Sequence, residues 1–213
     1  DWRYAEIKYF NNAHLMGKRM SELYNENTEL GRWLRSKNII EKIGDYAFMH
    51  GGLSVPVSNL NLSYNEINDY GRIIMNGEDC PNSDCETVTG SSGVYWYRGM
   101  ANGELSQDEV DGVLENFDVN RVVIGHTKDE NNRSVRPLYN GSVLAIDMYH
   151  VENFEDGFME ALKFELGCFY KFRTEDNNPT YTLLDSCDVW GLHQLELNKE
   201  GEIKIYPNPS SEV

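Results

Sequence analysis

The chain has 213 residues, of which 40% are hydrophobic and 12% aromatic, so it carries enough apolar material for the core of about one domain. Its formal net charge of −16 argues against a nucleic-acid partner, because binding a phosphate backbone requires clustered Lys and Arg. No apolar run approaches the roughly 20 residues needed to span a bilayer, so no membrane-spanning segment is predicted.

The first half of the chain alternates helical periodicity with short apolar runs. Apolar residues at helical spacing predict a helix over residues 5–34, and Asn27 or Thr28 is a candidate N-cap for a short helix near its end. Apolar runs at 39–43 and 46–49 flank Gly44-Asp45, which predicts a β-hairpin. A further helix is predicted over 59–75, and the turn-rich segment 77–93 is expected to be an exposed loop.

The second half contains stronger local signals. Ser106 and Glu109 form a capping box that opens a predicted helix ending at residue 116. The apolar run 121–124 predicts a buried strand. Asn140-Gly141 predicts a hairpin between strands at 137–139 and 142–146, and Gly167 separates two predicted antiparallel strands at 161–164 and 168–173.

Two histidines follow the apolar runs in matched frames. His50 begins the turn His50-Gly51-Gly52, and His126 lies in Gly125-His126-Thr127. Open α/β sheets bind ligands at the carboxyl ends of their strands, and imidazole is the commonest metal ligand in proteins. A lone histidine is more often a hydrogen-bonded core residue, but two in matched frames predict a shared metal site.

These frames resemble a known family. Phe48-Met-His-Gly-Gly-Leu-Ser54 and Ile124-Gly-His-Thr127 resemble the last two metal-binding motifs of the calcineurin-like metallophosphoesterases. Within that superfamily they are most similar to the phosphoprotein phosphatases and their bacterial Shewanella-like relatives, whose W-x-R-G element resembles Tyr95-Trp-Tyr-Arg-Gly99. The resemblance runs over roughly residues 2–184 and implies an α/β sandwich of two mixed sheets flanked by helices.

The earlier motifs of that group, GDxHG, GDxxDRG and GNHE, do not occur in the sequence. In the family they supply an Asp, a His, a bridging Asp, an Asn and the catalytic His. The resemblance therefore implies that residues 1–184 are the C-terminal half of a catalytic domain whose N-terminal half is absent. We expect this segment to be inactive by itself.

The resemblance also implies roles for individual residues. His50 and His126 would ligate the same ion of a pair of divalent transition metals, Mn, Fe or Zn. Arg98 would be catalytic and clamp the phosphate, because its planar fork matches two phosphoryl oxygens. Asp147 would orient a ligand histidine, or else cap the turn that follows it. The residues expected to support the metal ligands are Gly51, Gly52, Thr127 and Asp147.

The cysteines and the C-terminal residues predict the compartment. An even number of cysteines indicates disulfides in an exported protein, and free thiols or metal binding in a cytosolic one. Cys80 and Cys85 are expected to form a local disulfide, and Cys168 and Cys187 are a candidate second pair that the sequence leaves open. Residues 199–213, with the run Tyr206-Pro-Asn-Pro209, resemble the first strand of the type IX secretion C-terminal sorting domain of Bacteroidetes, although an ordinary loop is the alternative. The segment 185–198 would be a linker. The chain would then be exported from a Gram-negative cell, to the periplasm, cell surface or medium, by way of the secretion machinery.

Three functions fit these patterns. The favoured one is a dinuclear-metal phosphatase that hydrolyses phosphomonoesters, either phosphoprotein (Ser, Thr or Tyr) or small aryl phosphates, through a metal-bridging hydroxide. A dinucleoside-polyphosphate hydrolase is an alternative, because those relatives share the HGG and GHT frames. A non-catalytic extracellular binding domain on the same fold is the other.

Overall fold

The computed structural model describes residues 14, 17, 19–129, 133–175 and 178–184, and two short strand segments, 196–197 and 203–204. Internal contacts divide the chain into two compact units, Asp1–His126 and Thr127–Val213. The first unit combines helices with a mixed sheet, and the second is richer in strands. In the part of the chain that the structure describes, no helix has the length and apolar character needed to cross a membrane.

The sheet of the first unit is mixed. Strand β2 pairs antiparallel with β1 through the predicted Gly44-Asp45 hairpin, and on its other side it pairs parallel with β3. The strands are β1 (Ile40–Ile43), β2 (Tyr46–Met49) and β3 (Arg121–Ile124). The helices are α1 (Met20–Leu23), α2 (Glu29–Arg35), α3 (Val55–Ser58), α4 (Tyr64–Asn76), α5 (Ser83–Thr89), α6 (Gly99–Asn102) and α7 (Gln107–Asn116).

Polar N-caps set where these helices begin. Thr28 caps α2, as predicted, and the predicted capping box of Ser106 and Glu109 opens α7. The helix predicted over 59–75 begins instead at Tyr64, because Ser63 and Glu66 form a capping box there. Hydrogen bonds from the Ser63 and Ser106 hydroxyls and amides lower the pKa of the Glu66 and Glu109 carboxyls.

The segment 77–93 is not the exposed loop that its composition predicts. It contains α5, whose first turn is capped by the Asn82 side chain, which accepts a hydrogen bond from the Cys85 amide at 2.9 Å. Cys85 and Val88 on this helix are fully buried. The predicted disulfide Cys80–Cys85 is formed and fixes the approach to the helix. Tertiary burial of one face therefore overrides the local turn signals.

A buried asparagine joins α4 to the edge of the sheet. The Asn68 side chain accepts hydrogen bonds from the amides of Ile39 and Ile40 at 2.8 and 3.1 Å, and it donates to the Ile40 carbonyl at 3.0 Å. Asn68 is only 4% exposed. Buried backbone polar groups need hydrogen-bond partners. The Asn68 side chain provides them for the amides and the carbonyl at the start of β1, and it thereby sets the position of α4 against this strand.

The second unit begins with the predicted hairpin. Strands β4 (Arg136–Leu138) and β5 (Val143–Ala145) pair antiparallel. Residues 139–142 connect the two strands, so the loop is longer than the two-residue turn expected. Tyr139, Asn140 and Gly141 in this loop all have positive φ. The helix α8 (His150–Glu155) follows.

A three-stranded antiparallel sheet follows α8. Strands β6 (Phe158–Glu165) and β7 (Cys168–Glu175) confirm the predicted pair around Gly167, and each is longer than expected. The third strand, β8 (Asn178–Leu183), is not predicted from the sequence. It pairs with β7 and is exposed along its length. Its Pro179 lacks an amide donor, which an edge strand tolerates. Cys168 at the start of β7 is disulfide-bonded, and its predicted partner Cys187 lies outside the described residues.

A buried carboxylate organises the second unit. The Glu160 side chain is fully buried and forms ion pairs with Arg173 at 3.3 Å and Lys171 at 3.9 Å. It also accepts hydrogen bonds from the Ser134 hydroxyl at 2.7 Å and the Val135 amide at 3.0 Å. A buried charge is tolerated only with such partners, so Glu160 ties the segment before β4 to the β6–β7 pair.

The C-terminal strand segments form a short ladder. Strand β9 (Glu196–Leu197) pairs antiparallel with β10 (Ile203–Lys204), and the latter lies within the predicted strand. The rest of the predicted linker and of the resemblance to a sorting domain lies outside the described residues. The domain boundaries predicted at 184 and 198 therefore stay predictions.

We predict that Asn68→Ala lowers the free energy of unfolding by about 2–4 kcal/mol, because two backbone amides and one carbonyl lose their buried partner. The measurement is urea denaturation followed by circular dichroism. Asn65→Ala is the matched control, since Asn65 is exposed on the same helix. Equal stability losses for the two variants would contradict the assigned role of Asn68.

Candidate functional site

The carboxyl ends of two parallel strands bring His50 and His126 together. Strands β2 and β3 pair in register from Tyr46 opposite Arg121 to Met49 opposite Ile124. Each histidine follows its strand within two residues, and the Gly125 amide donates to the His50 carbonyl at 3.0 Å. His50 Nε2 and His126 Nδ1 lie 2.7 Å apart, with ring centroids separated by 4.6 Å. The predicted juxtaposition is therefore present.

His126 reaches this position in an unfavourable backbone conformation. Its φ is +66°, in the left-handed region that residues with a Cβ adopt only at a cost. The preceding strand, β3, is buried at every position and holds the backbone up to that point. A strained residue directly after a rigid buried strand is typical of functional sites, where surrounding structure enforces a particular side-chain direction.

Gly51 lets a second segment approach His50 closely. Its amide donates to the Val94 carbonyl at 2.7 Å. A Cβ at this position would lie 2.8 Å from the Val94 carbonyl oxygen and from the Tyr95 carbonyl carbon. The resemblance implies that Gly51 supports a metal ligand, which stays a prediction. The contact that the structure shows is with the backbone of residues 94–96, which docks against the end of β2.

Gly52 has a milder constraint. A Cβ there would lie 3.4 Å from the Tyr97 ring and carbonyl, a tight contact that a small shift could relieve. Gly51 and Gly52 therefore both face the segment that contains Trp96 and Arg98. This packing, rather than a positive φ, is what the two glycines provide.

The docked segment places an aromatic ring and a guanidinium beside the histidines. The Trp96 ring meets the His126 ring edge to face, with centroids 5.7 Å apart, and Trp96 remains 42% exposed. Arg98 is exposed at the N-cap position of α6. No hydrogen bond or ion pair joins its guanidinium to another described residue, so the group is available to an anionic ligand.

These side chains line one cleft of about 700 Å³ within the first unit. Tyr95 forms part of its wall, and burial raises the pKa of the Tyr95 hydroxyl. The cleft is lined by His50, Ile74, Met75, Thr89, Tyr95, Trp96, Arg98 and His126. The cleft therefore offers imidazole and guanidinium nitrogens, and the rest of its lining is mostly apolar.

The two remaining predicted residues belong to the second unit. The Thr127 carbonyl accepts a hydrogen bond from Arg136 at 3.3 Å, and Arg136 also pairs with Asp129 at 3.4 Å. The Thr127 hydroxyl is buried without a hydrogen-bond partner among the described residues. Asp147 is half-buried in the loop after β5. The supporting roles predicted for Thr127 and Asp147 stay predictions.

The nitrogen pair fits part of a metal site. Two nitrogens, each about 2.0–2.1 Å from one ion, are separated by roughly 3 Å at ordinary ligand angles. The observed 2.7 Å is a few tenths of an ångström shorter, which a small ring rotation would correct. Among the described residues, no group of three or more His, Cys, Asp or Glu could hold an ion. The two histidines can therefore supply only part of a coordination shell.

Several contributors to the cleft are not evident from the sequence. The sequence marks Trp96 only as part of a motif, and its contact with His126 depends on how residues 94–96 pack against Gly51. Thr89 lies in a segment predicted to be a loop. Its position at the end of α5 was detectable only from Asn82 as an N-cap followed by acidic residues in the first turn.

Comparison with known proteins places this geometry on a phosphatase-like fold. The chain is similar to a cold-active protein tyrosine phosphatase, with a TM-score of 0.72 and 29% sequence identity over 85% of this chain and 52% of that one. It is also similar to the cold-active protein-tyrosine phosphatase of a psychrophilic Shewanella species, with a TM-score of 0.67 and 28% identity over 87% of this chain and 54% of that one.

The chain thus spans about half the length of the solved structures that it matches. No protein-family model and no curated protein matches it. The similarity to the solved phosphatase structures shows a mixed α/β fold of the phosphatase kind. This agrees with the coarse fold class that the sequence predicts.

We predict that Gly51→Ala destabilises the protein by about 1–3 kcal/mol, because the new methyl group must displace backbone atoms rather than a flexible side chain. Quenching of Trp96 by acrylamide should increase as the 94–96 segment shifts. Gly112→Ala is the matched control. Its Cβ would meet nothing within 4 Å in α7, so it should be neutral or stabilising by up to about 1 kcal/mol. An unchanged melting temperature for Gly51→Ala would contradict the docking role.

Proposed function

We propose that this chain supplies part of the active site of a metal-dependent phosphatase that hydrolyses phosphomonoesters. The observation that carries the proposal is the meeting of His50 and His126, 2.7 Å apart at the ends of adjacent parallel strands, in the cleft that Arg98 also lines. Similarity to two protein tyrosine phosphatase structures supports the same class of reaction.

His50 and His126 would hold one divalent ion of a pair, through Nε2 and Nδ1 respectively. Imidazole ligands suit Mn, Fe or Zn, and further ligands would come from residues beyond those that the structure describes. Such ions lower the pKa of a bound water and polarise a phosphoryl oxygen. The role of the protein is to fix the two imidazoles, and the strained backbone of His126 and its contact with Trp96 contribute to that orientation.

Arg98 would bind the phosphoryl group. Its guanidinium is exposed in the cleft, and two parallel N–H donors can reach two phosphoryl oxygens at once. Charge on those oxygens increases as the ester bond breaks, so a fixed cation beside them stabilises the transition state more than the ground state. The position of Arg98 at the start of α6, whose Gly99 and Met100 are buried, fixes the backbone that presents it.

The cleft favours an aryl phosphate, including phosphotyrosine in a protein. The Trp96 ring and the Tyr95 side chain provide aromatic wall beside the histidines, and a substrate ring gains free energy by packing on such surfaces. A dinucleoside polyphosphate, the alternative substrate, would place several negatively charged phosphates in the cleft. Among the described residues that line the cleft, the permanently charged cation is Arg98 alone, which suits one phosphoryl group better than a chain of them.

We also propose that the protein is exported. The Cys80–Cys85 disulfide supports this, since disulfides persist in oxidising compartments. The run Tyr206-Pro-Asn-Pro209 is the reason to propose type IX secretion and its machinery as the route and partner. Removing residues 199–213 should then retain the protein inside the cell, whereas secretion of the truncated form would reject this route.

The prediction concerns the intact protein, meaning the whole protein to whose active site this chain contributes. In it, His50→Ala/His126→Ala should remove at least one equivalent of bound metal and lower hydrolysis of para-nitrophenyl phosphate by at least about 1000-fold. Metal content is measured by mass spectrometry after gel filtration. His150→Ala removes an exposed imidazole in the second unit and should change neither quantity. Intact protein with neither metal nor turnover would favour a binding domain, and both histidines would then be structural.

A second prediction concerns the phosphate clamp. Arg98→Lys keeps the charge but loses the two-pronged donor geometry, so kcat/KM should fall roughly 10- to 100-fold, and inhibition by inorganic phosphate should weaken. The exposed Arg32 gives the matched control, since Arg32→Lys lies on α2 and does not line the cleft. Retention of wild-type kcat/KM in Arg98→Lys would exclude Arg98 as the clamp.

A further inference from the structure

Part of the wall of the cleft is apolar. Ile74 and Met75, in the last turn of α4, form this wall together with Thr89 at the end of α5. Among the described residues that line the cleft there is no Asp, Glu or Lys. A charged group placed against this wall would lose solvation without gaining a partner, so the wall selects apolar ligands.

The α4 side of the wall is held in place by Arg35. Its guanidinium donates to the Met75 carbonyl at 3.1 Å and to the Asn76 side chain at 2.9 Å. Gly77 then ends the helix in the left-handed conformation, with φ of +77°, and its amide caps the carbonyls of the last turn. Ile74 and Met75 therefore belong to a preformed surface.

The α5 side is held by the disulfide. The Thr89 hydroxyl donates to the Cys85 carbonyl at 2.7 Å and lies 3.5 Å from the Cys80 sulfur. Because Cys85 is fully buried, Thr89 is anchored to the core of the unit. The ends of α4 and α5 that line the cleft are thus both held by their own contacts, which limits the entropy lost on binding.

The size of the cleft is greater than a single phosphorylated ring requires. A volume of about 700 Å³ lies within the range of sites that enclose ligands much larger than one aryl phosphate. Ile74 remains 43% exposed, so a ligand that covered it would remove apolar surface from water. Ile74 and Met75 line the same cleft as His50, His126 and Arg98.

Building on the proposed function, we infer that Ile74 and Met75 form a subsite for an apolar side chain next to the phosphorylated residue of a polypeptide substrate. The substrate would then be a phosphoprotein with an apolar residue beside its phosphotyrosine, rather than a small aryl phosphate. Glu78 and Asp79, exposed and close after Ile74 in the chain, would disfavour acidic neighbours by charge repulsion.

The test compares two phosphotyrosyl peptides of equal length, with phosphotyrosine flanked on both sides by Leu or by Ser. The intact protein should show about tenfold higher kcat/KM for the Leu peptide, the effect of one buried apolar side chain. Ile74→Asp should bring this ratio close to one and lower kcat/KM for the Leu peptide at least fivefold more than that for para-nitrophenyl phosphate. Ile43→Asp, at an exposed position on β1 outside the cleft, should leave the ratio unchanged.

Calorimetry with non-hydrolysable phosphonate versions of both peptides separates the subsite from the proposed reaction. Tighter binding of the Leu analogue, abolished in Ile74→Asp, supports the subsite even if no phosphoester is hydrolysed, and only the proposed function would then fail. Equal binding of the two analogues overturns the subsite whatever the turnover. The subsite is also overturned if Ile74→Asp lowers kcat/KM equally for both peptides and for para-nitrophenyl phosphate, since Ile74 would then support the whole cleft.

Discussion

Parallel pairing between β2 and β3 brings the carboxyl ends of two buried strands to one edge of the sheet. The other features of the candidate site depend on this arrangement. The register that places Met49 opposite Ile124 continues past the strands through the hydrogen bond between Gly125 and His50. Because a parallel ladder fixes both strand ends at once, the two imidazoles meet without help from flexible loops. Loss of that register would separate the rings and, with them, the proposed metal ligands.

A second layer of the site depends on one close backbone contact. Gly51 admits residues 94–96 against the end of β2, and this contact brings Trp96 to His126 and Arg98 to the same cleft. The helices α4 and α5 then form the remaining wall, the first held by Arg35 and the second by the Cys80–Cys85 disulfide. The cleft therefore combines imidazole and guanidinium nitrogens with apolar side chains that are held in place by their own contacts.

The histidine pair and the comparisons lead to the same class of reaction from different directions. The solved phosphatases that the chain resembles are about twice as long as the region matched, and the two histidines supply only part of a coordination shell among the described residues. Both facts agree with the proposal that the chain contributes His50, His126 and Arg98 to a larger site. The resemblance of the sequence to metallophosphoesterase motifs supplies the metal chemistry of the proposal, and the apolar cleft supplies its preference for an aryl substrate.

The sequence by itself determined the features that depend on neighbours in the chain. The Gly44-Asp45 hairpin, the capping box of Ser106 and Glu109, and the two strand–histidine–turn frames follow from local backbone preferences and side-chain hydrogen bonds. Only the tertiary structure decided the rest. Helix α5 forms in a turn-rich segment because Cys85 and Val88 are buried, β8 forms because β7 offers an edge, and Trp96 meets His126 because Gly51 admits its backbone. These depend on contacts between residues far apart in the chain, which local patterns do not encode.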